Sequence, residues 1–382
     1  MSDLERHITQ AREALAENNA KKALTILKPY RKSLKNHESS NLPLLQIFSE
    51  VYLENGDLEK AYPLLYRSCE LDDKGTKGGC DKFFTLGQII GGQDGLAVLS
   101  QGIENVFGIA GESISQEQTE KIVSGLLSMI EIWMTDLCME PSAESQCEDL
   151  IKKAMEISEN SSAETWSVLG SIRISQQRFA EACEAFTQSW NYFKLRKDKI
   201  GQDTANNTTK TSHLDYVDML QPLLALAKMC IEVGLYEIAL HVENAVKEID
   251  EDNLESYYLE GFTNYLIAKS EIFKTDNPEA ELTPEAFYEF NQHIQDVPLD
   301  FNNPNIAEQL QDAKVALSFA SKLGENVDDG DELAQELVSG ARALLEELGG
   351  SLSDEELQKL RKGDPNDDLG DEIDVEEFSE EN

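Results

Sequence analysis

Apolar residues recur along most of the chain in pairs of helical stripes separated by short polar turns. The clearest pair runs over residues 42–73, with the turn Asn55-Gly56-Asp57 in the middle. In the second half, small Ala61 and Ser68 flank the larger Leu65. Small residues let two helices approach closely, and the large residue fills the space between them. The pattern predicts two antiparallel helices joined by a tight turn.

The same pattern recurs at intervals typical of a repeat protein. Trp166, Leu169 and Gly170 match the W-x2-L-G start of a tetratricopeptide repeat (TPR), and Leu220 and Leu254 begin units one 34-residue period apart. Starts near residues 4, 42, 80, 128, 163, 220 and 254 give about seven units, and no alternating strand pattern occurs. We therefore predict an all-α fold: a right-handed superhelical TPR solenoid over residues 1–270, with C-terminal capping helices and an acidic disordered tail.

Two segments interrupt the repeat. Residues 194–212 are polar, which predicts an inserted loop, or a helix extension followed by a loop. Residues 271–305 contain four prolines and one short helical pattern at 285–295. Helices predicted at 306–323 and 332–348 would cap the array, within a final segment at 306–350.

The charge of the chain is extreme, with 33 Lys and Arg against 73 Asp and Glu, for a net charge of −40. The tail at 351–382 is predicted to be mostly disordered because it is strongly charged and has few apolar residues. Its acidic residues include Asp364, Asp367, Asp368, Asp371, Glu372, Asp374, Glu376 and Glu377. Such a chain repels nucleic acid phosphates and anionic membranes and attracts basic proteins.

Signals for catalysis are weak. The five histidines lie far apart, and the glycine-rich pieces at 75–82 and 91–95 lack the spacing of a phosphate-binding loop. We expect no catalytic residue, no cofactor and no metal site. The six cysteines form no C-x-x-C pair, and there is no secretory signal or long apolar stretch, which favours a reducing compartment. The run at 194–199 is a weak candidate for a nuclear-localisation signal.

Candidate binding residues follow from the TPR geometry, in which set positions of each first helix line the concave groove. Here those positions hold Gln46, Glu50, Glu54, Glu164, Ser167, Ser171, Lys228, Glu232, Glu255, Tyr258 and Phe262. A Lys and Asn clamp for an acidic peptide is missing, so the groove is predicted to bind a basic, partly apolar peptide. The alternatives are that the glutamates form a solvated face, and that Tyr258, Phe262 and Tyr265 belong to the core.

The array, the interruptions and the tail together resemble the fungal dedicated assembly chaperones of ribosomal large-subunit protein four. The segments that carry the resemblance are NNAKKALTILKPYRKSL, IFSEVYLENGDLEKAYPLLYRSCELD, SYYLEGFTNYLIAKSE and DEIDVEEFSEEN. The resemblance implies a protein that is not an enzyme. It would hold the long basic internal loop of the new ribosomal protein in its groove, accompany it to the nucleus and release it there.

From these features we expect a protein of the cytoplasm and nucleus, a monomer that forms a 1:1 complex with its client. Two other functions fit the same charge and repeats. An acidic TPR histone chaperone would also shield a basic client, although that class tends to carry an acidic run inside a TPR, which residues 194–212 lack. A scaffold subunit of a stable complex would expose larger apolar patches.

Overall fold

The computed structural model describes residues 2–17, 19–34, 40–111, 113–205, 212–279, 283–328 and 330–362. Within these ranges every regular element is helical, which confirms the all-α prediction. The chain divides into two compact units, Met1–Ile172 and Arg173–Asn382. The boundary falls inside one helix.

Unit one consists of consecutive helical hairpins. Its helices are α1 (Asp3–Ala16), α2 (Ala20–Leu27), α3 (Arg31–Leu34), α4 (Leu42–Glu54), α5 (Leu58–Leu71), α6 (Asp81–Ile90), α7 (Gly92–Ala110), α8 (Gln116–Met134), α9 (Ala143–Ile157) and the greater part of α10 (Ala163–Ser175). Helices α1–α2, α4–α5, α6–α7 and α8–α9 pack as pairs, and each later hairpin also contacts the one before it. In each pair the helix nearer the N-terminus is here called the first helix.

Small residues at the helix crossings allow this packing. Ala61 and Ser68 are fully buried on either side of Leu65, as the sequence predicted. Between α6 and α7 the approach is closer still, because a Cβ on Gly87 would lie 2.6 Å from Leu99 Cγ, and one on Gly95 would lie 2.5 Å from the Gly87 carbonyl oxygen. A larger side chain at either glycine would force the two helices apart.

A buried ion pair fixes the loop between α5 and α6. Asp72 and Lys82 are 3% and 4% exposed, and the Lys82 ammonium lies 2.9 Å from an Asp72 carboxylate oxygen. The Asp72 carboxylate also accepts hydrogen bonds from the backbone N–H groups of Lys77 and Gly78. Burial acts to raise the pKa of Asp72, but the hydrogen bonds from Lys82, Gly78 and Lys77 outweigh it and hold that pKa below its usual value. The glycine-rich segment at 75–79 is thus a connection between helices that hydrogen bonds to Asp72 hold in place.

Unit two has a longer and less regular set of helices. They are α11 (Phe179–Ala205), α12 (Ser212–Val217), α13 (Leu220–Glu232), α14 (Tyr236–Ile249), α15 (Leu254–Asp276), α16 (Pro284–His293), α17 (Ala307–Leu323), α18 (Glu332–Glu347) and α19 (Asp354–Lys362). Single 3-10 turns cover Lys28–Tyr30 in unit one and Ile294–Asp296 and Gly324–Asn326 in unit two. None of the helices in the described ranges combines the length and apolarity that crossing a membrane requires.

The inserted segment at 194–212 is helical over much of its length, which excludes the first of the two predicted alternatives, a loop throughout. Of the two alternatives, the structure has the helix extension, since α11 continues to Ala205. The extension is stabilised because Phe193 and Ile200 are buried in an otherwise polar stretch. A Cβ on Gly201 would lie 3.3 Å from the hydroxyl of Tyr216, so α12 packs closely at this end.

The helix predicted as the first cap has another role. Helix α17 packs along α15 as its hairpin partner, and a Cβ on Gly261 would lie 2.5 Å from Leu317 Cγ. Helix α18 packs on both α15 and α17. A hydrogen bond fixes it to α15, because the Tyr265 hydroxyl donates to the Glu347 carboxylate at 2.7 Å. Lys269, almost fully buried, lies 3.4 Å from the same carboxylate group.

The proline-containing insert folds back onto the edge of unit two. Within it, α16 stacks Tyr288 on Phe179 at 4.4 Å between ring centroids, and the rings of Phe290 and Phe273 meet at a tilt of 45° with centroids 4.6 Å apart. The Asn291 amide donates to the last two carbonyl groups of α13, at 3.0 Å each. Because those carbonyls have no partner inside α13, α16 supplies the cap that ends that helix.

The C-terminal segment predicted as mostly disordered contains a helix, which shortens the predicted tail. Helix α19 lies within residues 351–382, and its Leu357 is buried against α17. The amphipathic spacing of α19 was masked in the sequence by its high charge. The eight tail carboxylates named above lie outside the described residues.

A buried carboxyl group lies between α14 and α15. Glu243 is fully buried, and only its Oε1 has a hydrogen-bond partner among the described residues, the Thr263 hydroxyl at 3.0 Å. Burial raises the pKa of Glu243 to about 8; the Thr263 hydrogen bond and Lys247 oppose the rise, while Glu260 adds to it. Glu243 is therefore largely protonated at neutral pH.

Breaking the Asp72–Lys82 pair should destabilise unit one. Asp72→Ala leaves a buried ammonium group and two backbone N–H groups without their acceptor, which should lower the free energy of unfolding by about 3 kcal/mol. Urea unfolding of the full chain measures this loss. Asp73→Ala, at the exposed neighbouring position, is the matched control and should change the stability by less than about 0.5 kcal/mol. Equal effects of the two substitutions would contradict the assigned role of the buried pair.

Glu243 should make the stability of the protein depend on pH. Between the ordinary carboxyl pKa of 4.5 and the folded value of about 8, the folded state keeps a proton that the unfolded state releases. The contribution is therefore complete below pH 4.5 and falls as pH rises, by up to about 1.4 kcal/mol per pH unit, until it is lost above pH 8.

Glu243→Gln removes that titration and keeps the shape of the side chain. In urea unfolding at pH 5, 6, 7 and 8, the stability of this variant relative to the wild type should increase with each step. Glu237 lies on the exposed face of the same helix, so the free energy of unfolding of Glu237→Gln should change with pH in the same way as that of the wild type. Parallel curves for all three proteins would mean that Glu243 does not titrate as described.

Candidate functional site

The first helices of unit one bring charged side chains from successive hairpins onto one surface. Lys121 of α8 lies 3.1 Å from carboxylate oxygens of both Asp81 on α6 and Glu117 on its own helix. Glu50 on α4 is exposed, yet the surrounding protein removes enough water to raise its pKa. Arg12 on α1 opposes this rise in pKa, and Asp81 adds to it. We call the surface formed by Arg12, Glu50, Asp81, Glu117 and Lys121 the first-helix surface of unit one.

The predicted residues on α4 have two different roles. Glu50 and Glu54 are exposed and one helical turn apart, so both carboxylates can meet a ligand. Gln46 donates its side-chain amide to the Gly78 carbonyl at 2.6 Å. It therefore supports the loop that follows Asp72, in addition to lying at a groove position.

The predicted residues of α10 are half-buried. Glu164 accepts a hydrogen bond from the Ser162 hydroxyl at 3.2 Å, and the Ser171 hydroxyl donates to the Ser167 carbonyl at 3.3 Å. These contacts hold the helix start and its backbone. They leave this part of the surface less charged than α4.

In unit two, the predicted residues form a partly neutralised surface on α13 and α15. The Lys228 ammonium lies 2.5 Å from the Glu255 carboxylate, so the two charges form an ion pair between α13 and α15. Glu232, one turn beyond Lys228, is half-buried, and that burial raises the pKa of Glu232. Among the predicted residues here, Glu232 is the one carboxylate outside the Lys228–Glu255 pair.

The aromatic residues of α15 divide between core and surface. Tyr265 is 3% exposed and therefore belongs to the core, which was the alternative to a place in the groove. Tyr258 and Phe262 are half-buried, with ring centroids 6.1 Å apart and nearly parallel planes. A Cβ on Gly340 of α18 would lie 3.1 Å from the Tyr258 ring, so one side of that ring is covered. Both side chains keep part of their surface exposed.

Buried thiol groups of the described residues are held in their protonated form. Burial raises the pKa of Cys69 to about 12 and that of Cys183 to about 11, so both thiols stay protonated at neutral pH. Among the residues described, no three His, Cys, Asp or Glu side chains lie together as metal ligands would. The arrangement is suited to binding cations along a surface.

Sequence reasoning missed Asp81, Glu117 and Lys121. The looser repeat predicted near residue 80 starts at Cys80, so Asp81 is its second residue. That is a groove position of the repeat, and the same rule could have identified Asp81. Glu117 and Lys121 were missed because the repeat positions were counted from residue 128; the long first helix itself was predicted at residues 117–138, close to α8 (Gln116–Met134).

Comparison with known proteins gives the chain its relatives. Residues 252–374 match the family described as the ACL4 C-terminal domain. A protein of Schizosaccharomyces pombe named "Probable assembly chaperone of rpl4" is 26% identical over 275 residues, which are 71% of this chain and 76% of that protein. One of Emericella nidulans with the same name is 27% identical over 287 residues, 73% of this chain and 69% of that protein.

A solved structure agrees with the fold. It is described as "Assembly Chaperone of RpL4 (Acl4) (Residues 1-338)" and is 22% identical, with a TM-score of 0.51 over 72% of this chain and 100% of that chain. At this identity the likeness concerns the fold, which is the helical-repeat fold that the sequence predicted. The resemblance drawn from the sequence is confirmed by these matches: the chain is similar to fungal proteins named assembly chaperone of rpl4, and its residues 252–374 match the ACL4 C-terminal domain.

Proposed function

We propose that this protein is a dedicated, non-enzymatic chaperone of newly made ribosomal large-subunit protein four. The observation that carries the proposal is the similarity to two fungal proteins of that name, each over more than two thirds of this chain and of the relative. The charge of the chain is independent support, because a net charge of −40 suits a strongly basic client.

The proposed binding residues lie on the first-helix surface of unit one and on helices α13 and α15 of unit two. Glu50, Glu54 and Asp81 would pair with lysine and arginine side chains that otherwise meet RNA phosphates, and carboxylates attract the same cations as phosphates do. The stacked pair Tyr258 and Phe262 would receive an apolar or guanidinium side chain. Charge would speed the capture, and the aromatic contacts would add selectivity.

The client segment is a long basic internal loop, bound by one copy of the chain in a 1:1 complex. The chaperone keeps the loop soluble in the cytoplasm and accompanies it to the nucleus, where ribosomal RNA, with its denser charge, takes the loop over. The protein itself binds neither nucleic acid nor membranes, because its net charge repels both.

The identity of the client is tested by affinity capture from a lysate at about 0.15 M salt, where the Debye length is about 8 Å. Ribosomal large-subunit protein four should be recovered in near-equal amount and without ribosomal RNA. Recovery of core histones instead would make the protein a histone chaperone. A broad set of non-basic subunits would make it a scaffold.

The binding surface is tested by charge reversal. Glu50→Lys with Glu54→Lys should weaken binding of the purified client by about tenfold or more, because two carboxylates on the first-helix surface become repulsive. Isothermal titration calorimetry at two salt concentrations measures the change, and the wild-type affinity should fall as salt is raised.

The matched control is Glu104→Lys with Glu156→Lys, two exposed glutamates on the second helices α7 and α9. It makes the same change in net charge away from the proposed surface, so its effect should be much smaller. Equal losses in the two double variants would show that only total charge matters and would place the client elsewhere.

A further inference from the structure

Helix α11 carries a short basic segment in an otherwise acidic protein. Residues 194–199 contain four basic side chains and one acidic one, Asp198. Lys194 and Lys199 are exposed, and between them Leu195 is 61% exposed. We call residues 194–199 the basic stripe. It presents cations and an apolar side chain together, on the part of α11 that extends beyond the ordinary hairpin length.

Two ion pairs bring the end of α19 close to this stripe. Lys197 pairs with Glu248 in the last turn of α14. Arg361, at the end of α19, pairs with Asp252 in the turn that follows α14 and lies 3.6 Å from Glu251. Glu248 and Asp252 are four residues apart, so at most about 15 Å of chain separates the two contacts.

Helix α19 is held firmly enough to fix this position. Leu357 is buried against α17, and the Asp354 carboxylate lies 3.0 Å from the Lys322 ammonium. The end of α19 therefore lies within reach of the basic stripe.

We propose that the acidic C-terminal segment, residues 364–382, docks on the basic stripe of its own chain. The segment contains ten Asp and Glu and no Lys or Arg, so its charge is complementary to that of the stripe. It also interleaves acidic residues with Ile373, Val375 and Phe378, which can cover exposed Leu195.

The geometry makes this contact easy to reach. The stripe is about 8 Å long on the helix axis, and about five extended residues after Arg361 would span the distance to it. A tether this short gives an effective concentration in the millimolar range, so weak pairwise attractions are enough to dock the segment. The net charge of −40 means that the rest of the chain repels the segment on average.

The docked segment would lie on the α11 and α14 side of unit two. Helices α13 and α15, which carry Lys228 and Glu255, would remain open to a client. The contact is independent of the proposed client and would partly neutralise the tail in the free protein. Its failure would leave the proposed function untouched.

Carbodiimide cross-linking of the full chain, followed by mass spectrometry of the peptides, tests the contact directly. This reagent joins a lysine to a carboxylate only when they touch. Lys194 or Lys199 should be joined to carboxylates of residues 364–382, and the Lys197–Glu248 product serves as the internal positive control. Mixing isotopically heavy and light protein should show the tail product within single chains.

A charge-reversal pair tests the docking energetically. Lys194→Glu with Lys199→Glu should release the tail, which a protease then cuts about fivefold faster at Phe378 because cleavage follows the population of the undocked form. Lys152→Glu with Lys153→Glu, two exposed lysines on α9, makes the same change in net charge and should leave the cleavage rate unchanged.

Several results would overturn the proposal. One is the absence of tail cross-links when the Lys197–Glu248 product is formed. A second is tail products only between heavy and light chains, which would make a second copy the occupant. Equal cleavage rates in the wild type and both variants would overturn it as well.

Discussion

The structure depends on close contact between consecutive helices at positions that accept only small side chains. Ala11, Ala23 and Ala61 are fully buried at such crossings in unit one, and Gly87 and Gly261 serve the α6–α7 and α15–α17 pairs. Because each hairpin is narrow, successive first helices lie side by side. Charged groups that are distant in sequence, such as Glu50, Asp81 and Lys121, can then share one surface. The proposed binding surface is thus a consequence of helix packing, and no single loop builds it.

The strength of local patterns explains which elements could be predicted. Helices α17 and α18 were predicted within a residue or so, because their apolar spacing is regular. The extension of α11 was hidden, since two buried residues, Phe193 and Ile200, support a stretch that is polar almost everywhere else. The repeat rule identified Glu50 and Glu54 as surface carboxylates, but the use of Gln46 to hold Gly78 depends on a contact between residues 32 positions apart. No local pattern encodes such a contact.

Basic residues are scarce in this chain, and the structure uses several of them at joints. Lys82 fixes the loop before α6, Lys269 holds α18 on α15, and Arg361 holds the end of α19 at the turn after α14. Each of these cations satisfies a carboxylate that would otherwise repel its neighbours. The surplus of carboxylates remains on the surface, where it is available to cations from outside the chain. An acidic binding surface and a stable acidic protein are therefore compatible.

The insert between α15 and α17 has a consequence for the order in which the protein folds. Helices α13 and α14 are joined by residues 233–235 only, whereas α15 must find α17 across residues 277–306. Closing a loop about ten times longer costs roughly 2 kcal/mol more chain entropy, and contacts of higher sequence separation form more slowly. The α13–α14 hairpin can thus assemble early and locally. The α15–α17 hairpin, and with it the docking of α18 and α19, belongs to a late stage of folding, when the rest of unit two already provides the surface that receives it.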